Sequence, residues 1–119
     1  MGMTDDCRRA FEIARGRGLS PDTLEALKHC AGEVLEAAEA YTRYKGTHER
    51  FYGSRADFVH ELERQRQAFA GELADVVMCV YSVCGKEGID LGKALDECFL
   101  KNEARCDEAD KDDIDQMRQ

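Results

Sequence analysis

A chain of 119 residues, 43% hydrophobic and 35% charged, with one proline and no tryptophan, is sized and composed for one helical domain with a modest core. Its formal net charge of −8 excludes the basic footprint needed to wrap a nucleic-acid polymer. No stretch reads as the roughly 20 apolar residues of a bilayer span. The start, Met1-Gly2-Met3-Thr4-Asp5-Asp6, lacks the basic-then-apolar pattern of a secretory leader, so a cytoplasmic location without membrane contact is expected.

The first helix is expected from about Thr4 to Arg15, with Cys7, Ala10, Phe11 and Ala14 on one face and Gly16-Arg17-Gly18 ending it. Ser20-Pro21-Asp22 is a start signal, a serine cap followed by proline in the first turn. The second helix then runs to about Tyr44, with Leu24, Leu27, Ala31, Val34, Leu35, Ala38 and Tyr41 as its apolar stripe and Lys45-Gly46 as its end. Thr47 to Gly53 reads as a loop. Ser54-Arg55-Ala56-Asp57 resembles a capping box and opens a helix, or a pair of helices, up to Cys84. Gly85 to Gly88 is expected to turn, Asp90 to cap, and Leu91 to about Arg105 to form the last core helix. Beyond it, residues 107–119 hold six acids against Lys111 and Arg118, the composition of a frayed acidic tail outside a single domain of residues 1–106.

The six cysteines (Cys7, Cys30, Cys79, Cys84, Cys98 and Cys106) form no CxxC pair, and four fall on apolar or small-residue stripes. Reduced thiols are expected rather than disulfides or a zinc site. His29, His48 and His60 have no spacing suited to a shared metal and read as surface or structural residues.

The chemistry lies in the carboxylates. Glu33 and Glu36 stand three residues apart on the second helix, and Glu72 and Asp75 three apart on a later one, so each pair projects from one side of its helix. Such pairs are usually solvated, and Glu33 and Glu36 alone would be read that way. From Val76 to Gly85, however, no residue is charged, so Asp75 is expected to open onto a packed interior, where a carboxylate must be neutralised, paired or metal-bound. Cys30, Ala37 and Ala40 are small enough to let another helix approach the Glu33 pair. Hard oxygen ligands on facing helices suit Mg²⁺ or Mn²⁺, and hence work on phosphates.

With those residues in view, the chain resembles the MazG-like, all-α nucleoside triphosphate pyrophosphohydrolases, relatives of the all-α dUTPases and dCTPases. The likeness rests on Glu33-Val34-Leu35-Glu36, Glu72-Leu73-Ala74-Asp75, Gly88-Ile89-Asp90-Leu91, and Lys101-Asn102 with Arg105, over about residues 24 to 106. Gly32 stands where the longer motif has its first glutamate, and Cys98 where many relatives carry lysine. The resemblance implies an all-α, MazG-like bundle of four to five helices completed by oligomerisation into a homodimer or homotetramer. It implies cleavage of a nucleoside triphosphate to monophosphate and pyrophosphate, with Mg²⁺ or Mn²⁺ held by Glu33, Glu36, Glu72 and Asp75. Glu36 or Glu33 would serve as catalytic base, and Lys101, Asn102 and Arg105 would bind the substrate phosphates. Two other readings stay open: an inactive metal- or nucleotide-binding module, and a purely structural helical oligomer.

Overall fold

The computed structural model describes the backbone of residues 2–117 and the side chains among them except those of residues 109–116. It is all-α: α1 (Met3–Gly16), α2 (Thr23–Lys45), the short α3 (Thr47–Arg50), α4 (Arg55–Glu87) and α5 (Leu91–Met117), with no strand among the described residues.

Local chemistry accounts for most boundaries and moves a few from where the sequence put them. Asp22, not Ser20, caps α2: its carboxylate accepts from Glu25 N at 2.9 Å, while Ser20 Oγ accepts from Asp22 N. Proline therefore lies just before the cap rather than in the first turn. The expected loop at 47–53 begins with the single turn of α3, where buried Thr47 donates its hydroxyl to the Arg43 carbonyl. Ser54 caps α4 as read, accepting from Asp57 N at 3.1 Å. α4 is one helix rather than two, and it passes through Gly85 to end at Gly88, whose φ of 68° is left-handed backbone that glycine adopts without strain. Asp90 opens α5 by accepting from Lys93 N. α5 does not stop near Arg105; its backbone is helical through Met117, so the expected frayed tail is helical as far as Met117, and residues 118–119 lie outside the described residues.

α2 and α4 lie antiparallel. Thr23 at the head of α2 donates to Glu87 at the foot of α4, and Cys30 Sγ lies 4.0 Å from the Val76 carbonyl. Tyr41 and Tyr44 meet Phe69 at ring-centroid distances of 5.4 and 6.4 Å, and His48 and Phe51 both meet Phe58. α1 crosses the C-terminal half of α4 with Cys7 and Ala10 buried. Gly85 permits that crossing, because a Cβ there would run into the Cys7 carbonyl.

The inner face of α2 differs from the stripe read in the sequence. Ala37 and Ala40 are buried, whereas Leu24, Leu27 and Leu35 are half or more exposed, Leu35 at 67%. The small residues face α4 and the leucines face outward. α5 is also unfilled: its substantial neighbour is α1, and every side chain from Lys93 to Glu108 is exposed. A folded monomer of this mass exposes about 6,500 Å², against 9229 Å² here. Its radius of gyration is 19.8 Å, against about 14 Å for a compact domain of this length.

α4 also corrects the expectation of no membrane-length apolar stretch, since by length and composition alone it is long and apolar enough to cross a bilayer. Glu72 and Asp75 lie within its apolar half, where hydrocarbon would penalise them. α1 and α2 pack along the same helix.

Gly85→Ala is expected to destabilise the chain by about 1–3 kcal/mol, the usual cost of overpacking a close contact. Denaturant unfolding measures this; an unchanged midpoint would show that α1 does not need the glycine.

Candidate metal centre

The closeness of α2 to α4 creates the site. With Cys30, Ala37 and Ala40 on the facing side of α2, Glu33 points inward from mid-helix toward Glu72 and Asp75, one turn apart on α4. One carboxylate oxygen from each of Glu33, Glu72 and Asp75 lies within 4.8 Å of the others. Glu33 Oε2 and Glu72 Oε2 are both buried without a hydrogen-bond partner. Two orphaned acceptors beside a third carboxylate are costly unless something positive lies between them. Burial first, then the charge of Glu36, pushes the Glu33 carboxyl above its ordinary range; Asp75 adds to that effect and His29 opposes it. The neighbouring Cys79 thiol is pushed up to about 11 by burial, with Cys30, Glu33 and Asp75 adding to it.

Of the four sequence-derived metal ligands, the structure gathers three. Glu36 contacts the Glu33 carboxyl, but it is exposed and lies outside the three-carboxylate cluster. Asp75, expected to face a packed interior, is exposed; the buried, unpartnered oxygens belong to Glu33 and Glu72 instead. The reason is the incomplete core, which leaves the face of α4 around Asp75 uncovered. Gly32 has open space around it, so its lack of a side chain is not a steric requirement within one chain. Lys101, Asn102 and Arg105 lie on the exposed stretch of α5, and Asn102 donates to the Cys98 carbonyl of its own helix. Within one chain they do not reach the carboxylates. The cysteines are free as expected, although only Cys7 and Cys84 are fully buried and Cys98 and Cys106 are exposed.

Two features were not foreseen from the sequence. A cavity of about 440 Å³ opens from Glu33 and Asp75, roofed by α1 and the turn after it and floored by α2 and α4. Ile13, Ala14 and Met78 give it apolar walls, Arg17, His29 and Ser82 give it polar points, and no Phe, Tyr or Trp among the described residues lines it. The other is His29, read as a surface or structural residue, whose Nε2 lies 3.3 Å from Glu33 Oε1. Its i, i+4 spacing to Glu33 was the available signal. No protein-family model, curated protein or solved structure matches the chain.

The raised Glu33 value has a definite sign. Folding makes this carboxyl bind its proton more tightly, so metal-free stability is greatest while it is protonated and falls as pH rises from 4.5 through the folded value. Glu33→Gln removes that loss. In chelator, the variant is expected to melt at or above the wild-type temperature at neutral pH, and the difference is expected to vanish toward about pH 4. A variant less stable than wild type at neutral pH would contradict this.

Proposed function

We propose that this chain is a divalent-metal-dependent nucleoside triphosphate pyrophosphohydrolase that works as an oligomer of identical chains. The observation that carries this reading is the trio Glu33, Glu72 and Asp75, with two buried oxygens lacking any partner and a cavity leading away from them. The donors are all carboxylate oxygens, which fit Mg²⁺ or Mn²⁺ better than a thiophilic ion. The ordered sequence motifs shared with the MazG-like pyrophosphohydrolases support the same reading.

Bound there, such an ion supplies charge to phosphate oxygens and acidity to a coordinated water. The chain's own residues do the rest. Glu33, Glu72 and Asp75 hold the ion, and Glu36, in contact with Glu33 and open to solvent, can accept the proton of the attacking water. The cavity, at about 440 Å³, falls within the range of small-molecule sites and can hold the nucleoside end of the substrate while the phosphates lie at the carboxylates. With no Phe, Tyr or Trp among its described lining residues, it grips a base by apolar contact and a few polar groups, which favours loose base selectivity.

A second copy accounts for what a single chain leaves undone. The surface exceeds that of a compact monomer by an amount comparable to what obligate interfaces bury. It includes a row of leucines along α2 and Phe99 and Leu100 on α5, both more than 60% exposed. Packing α5 of one chain against the α2–α4 pair of another covers both. It also gives Lys101, Asn102 and Arg105 a site to serve, the partner's carboxylates.

A panel of nucleoside triphosphates with Mg²⁺ and pyrophosphate detection tests the activity. Glu72→Gln and Asp75→Asn are each expected to keep the fold and lower turnover at least about a hundredfold, as loss of a transition-state contact does. Wild-type pyrophosphate release indistinguishable from background across the panel would sink the enzyme reading. Light scattering tests the assembly. Wild type is expected to run as a dimer or tetramer, and Leu35→Glu to dissociate it; a monodisperse wild-type monomer would overturn the interface.

A further inference from the structure

Among the described residues, His29 is the one cation-capable side chain in contact with the carboxylate trio, through Glu33 Oε1 at 3.3 Å. The two oxygens of Glu33 thereby have different neighbours. Oε1 faces the imidazole, whereas Oε2 is buried without a hydrogen-bond partner, and one oxygen of Glu33 lies within 4.8 Å of oxygens of Glu72 and Asp75. A glutamate side chain has three rotatable bonds, and holding it in one geometry costs rotamer freedom. The imidazole sits one helical turn before Glu33 on the same face and limits that freedom from behind. Its ring also lines the cavity, as do Glu33 and Asp75.

We propose that His29 is a positioning residue for the metal, resting on the metal-dependent reading above. It holds Glu33 by Oε1 so that Oε2 stays aimed at the ion without His29 ligating it. His29 is not within ligand range of Glu72 and Asp75, which form the trio with Glu33 alone. Groups behind a ligating side chain orient it, and removing one typically costs ten- to a hundredfold in metal affinity. His29 is also about half exposed, its side chain at 53%, so replacing it does not open the core.

Calorimetric titration of Mn²⁺ into the full chain tests this on wild type, His29→Ala and His29→Gln, alongside metal-free melts. The expected result is that His29→Ala binds Mn²⁺ about ten- to a hundredfold more weakly at an unchanged metal-free melting temperature. His29→Gln, whose amide can donate to Oε1, is expected to recover most of that loss, which a merely space-filling role would not produce. Wild-type affinity in His29→Ala overturns the positioning role while leaving the metal site standing. So does an equal loss in both variants. No Mn²⁺ binding by wild type removes the metal reading itself, and His29's role with it.

Discussion

The approach of α2 to α4 is the constraint on which the rest of this molecule depends. Helices come this close only where the facing residues are small, and α2 supplies Cys30, Ala37 and Ala40 along one line. That line also contains Glu33, so the packing that seats the helix forces a carboxylate toward Glu72 and Asp75. An apolar residue in its place would bury cheaply, whereas Glu33 Oε2 and Glu72 Oε2 carry the full cost of buried acceptors without partners. Natural chains retain such costs at sites rather than in scaffolds. Under the proposed reading, the carboxylates are the purpose of the α2–α4 contact rather than its by-product.

The same geometry decides where the apolar surface goes. A helix has one circumference, and α2 spends its small residues inward and its leucines outward. Leu24, Leu27 and Leu35 cannot be core residues of a single chain. α4 divides in the same way, with Leu73 and Val77 about half exposed. Among the described residues the buried positions are few and small: Cys7, Ala10, Ala37, Ala40, Thr47 and Cys84. Such residues bury too little area to offset the ordering of more than a hundred residues. Under the proposed reading, a second chain supplies the burial that the single chain lacks.

The helices were legible because they are long, periodic and punctuated: Gly16-Arg17-Gly18, Ser54 with Asp57, and Gly88 with Asp90 all mark boundaries the structure shows within a few residues. The convergence of Glu33, Glu72 and Asp75 was legible from three-residue spacing, small neighbours and the uncharged run after Asp75. What failed was the assignment of inside and outside on α2. Periodicity reports that a helix has an apolar face, not whether its own chain covers it, and here the larger apolar face is left bare. The burial of Asp75 failed for the same reason, because an uncharged run is only as buried as its surroundings. The cavity was beyond reach, since it arises where α1 crosses a hairpin, and no local pattern encodes that. His29 stood at the right spacing, but a pair four residues apart is too common to single out before the facing helix is known.

α2 also joins two events under the proposed reading. Its inner face presents Glu33 to the ion, and its outer face presents leucines to a second chain. A cation that relieves the repulsion among Glu33, Glu72 and Asp75 holds α2 against α4 from within, and a partner covering Leu24, Leu27 and Leu35 holds the same helix from without. Both favour the same seated conformation, so linkage requires each to strengthen the other. The coupling can be no larger than the free energy by which α2 is unseated when both are absent. The single chain suggests that this is appreciable, because its α2 is kept in place by alanine contacts and two tyrosines on Phe69 while two buried carboxylate oxygens push against it. Metal affinity should therefore rise with protein concentration through the assembly transition, and light scattering at fixed protein should shift toward the larger species when Mn²⁺ replaces chelator. Independence of the two would mean that α2 is already rigid in the isolated chain, with its seating set by α1 and α4 alone.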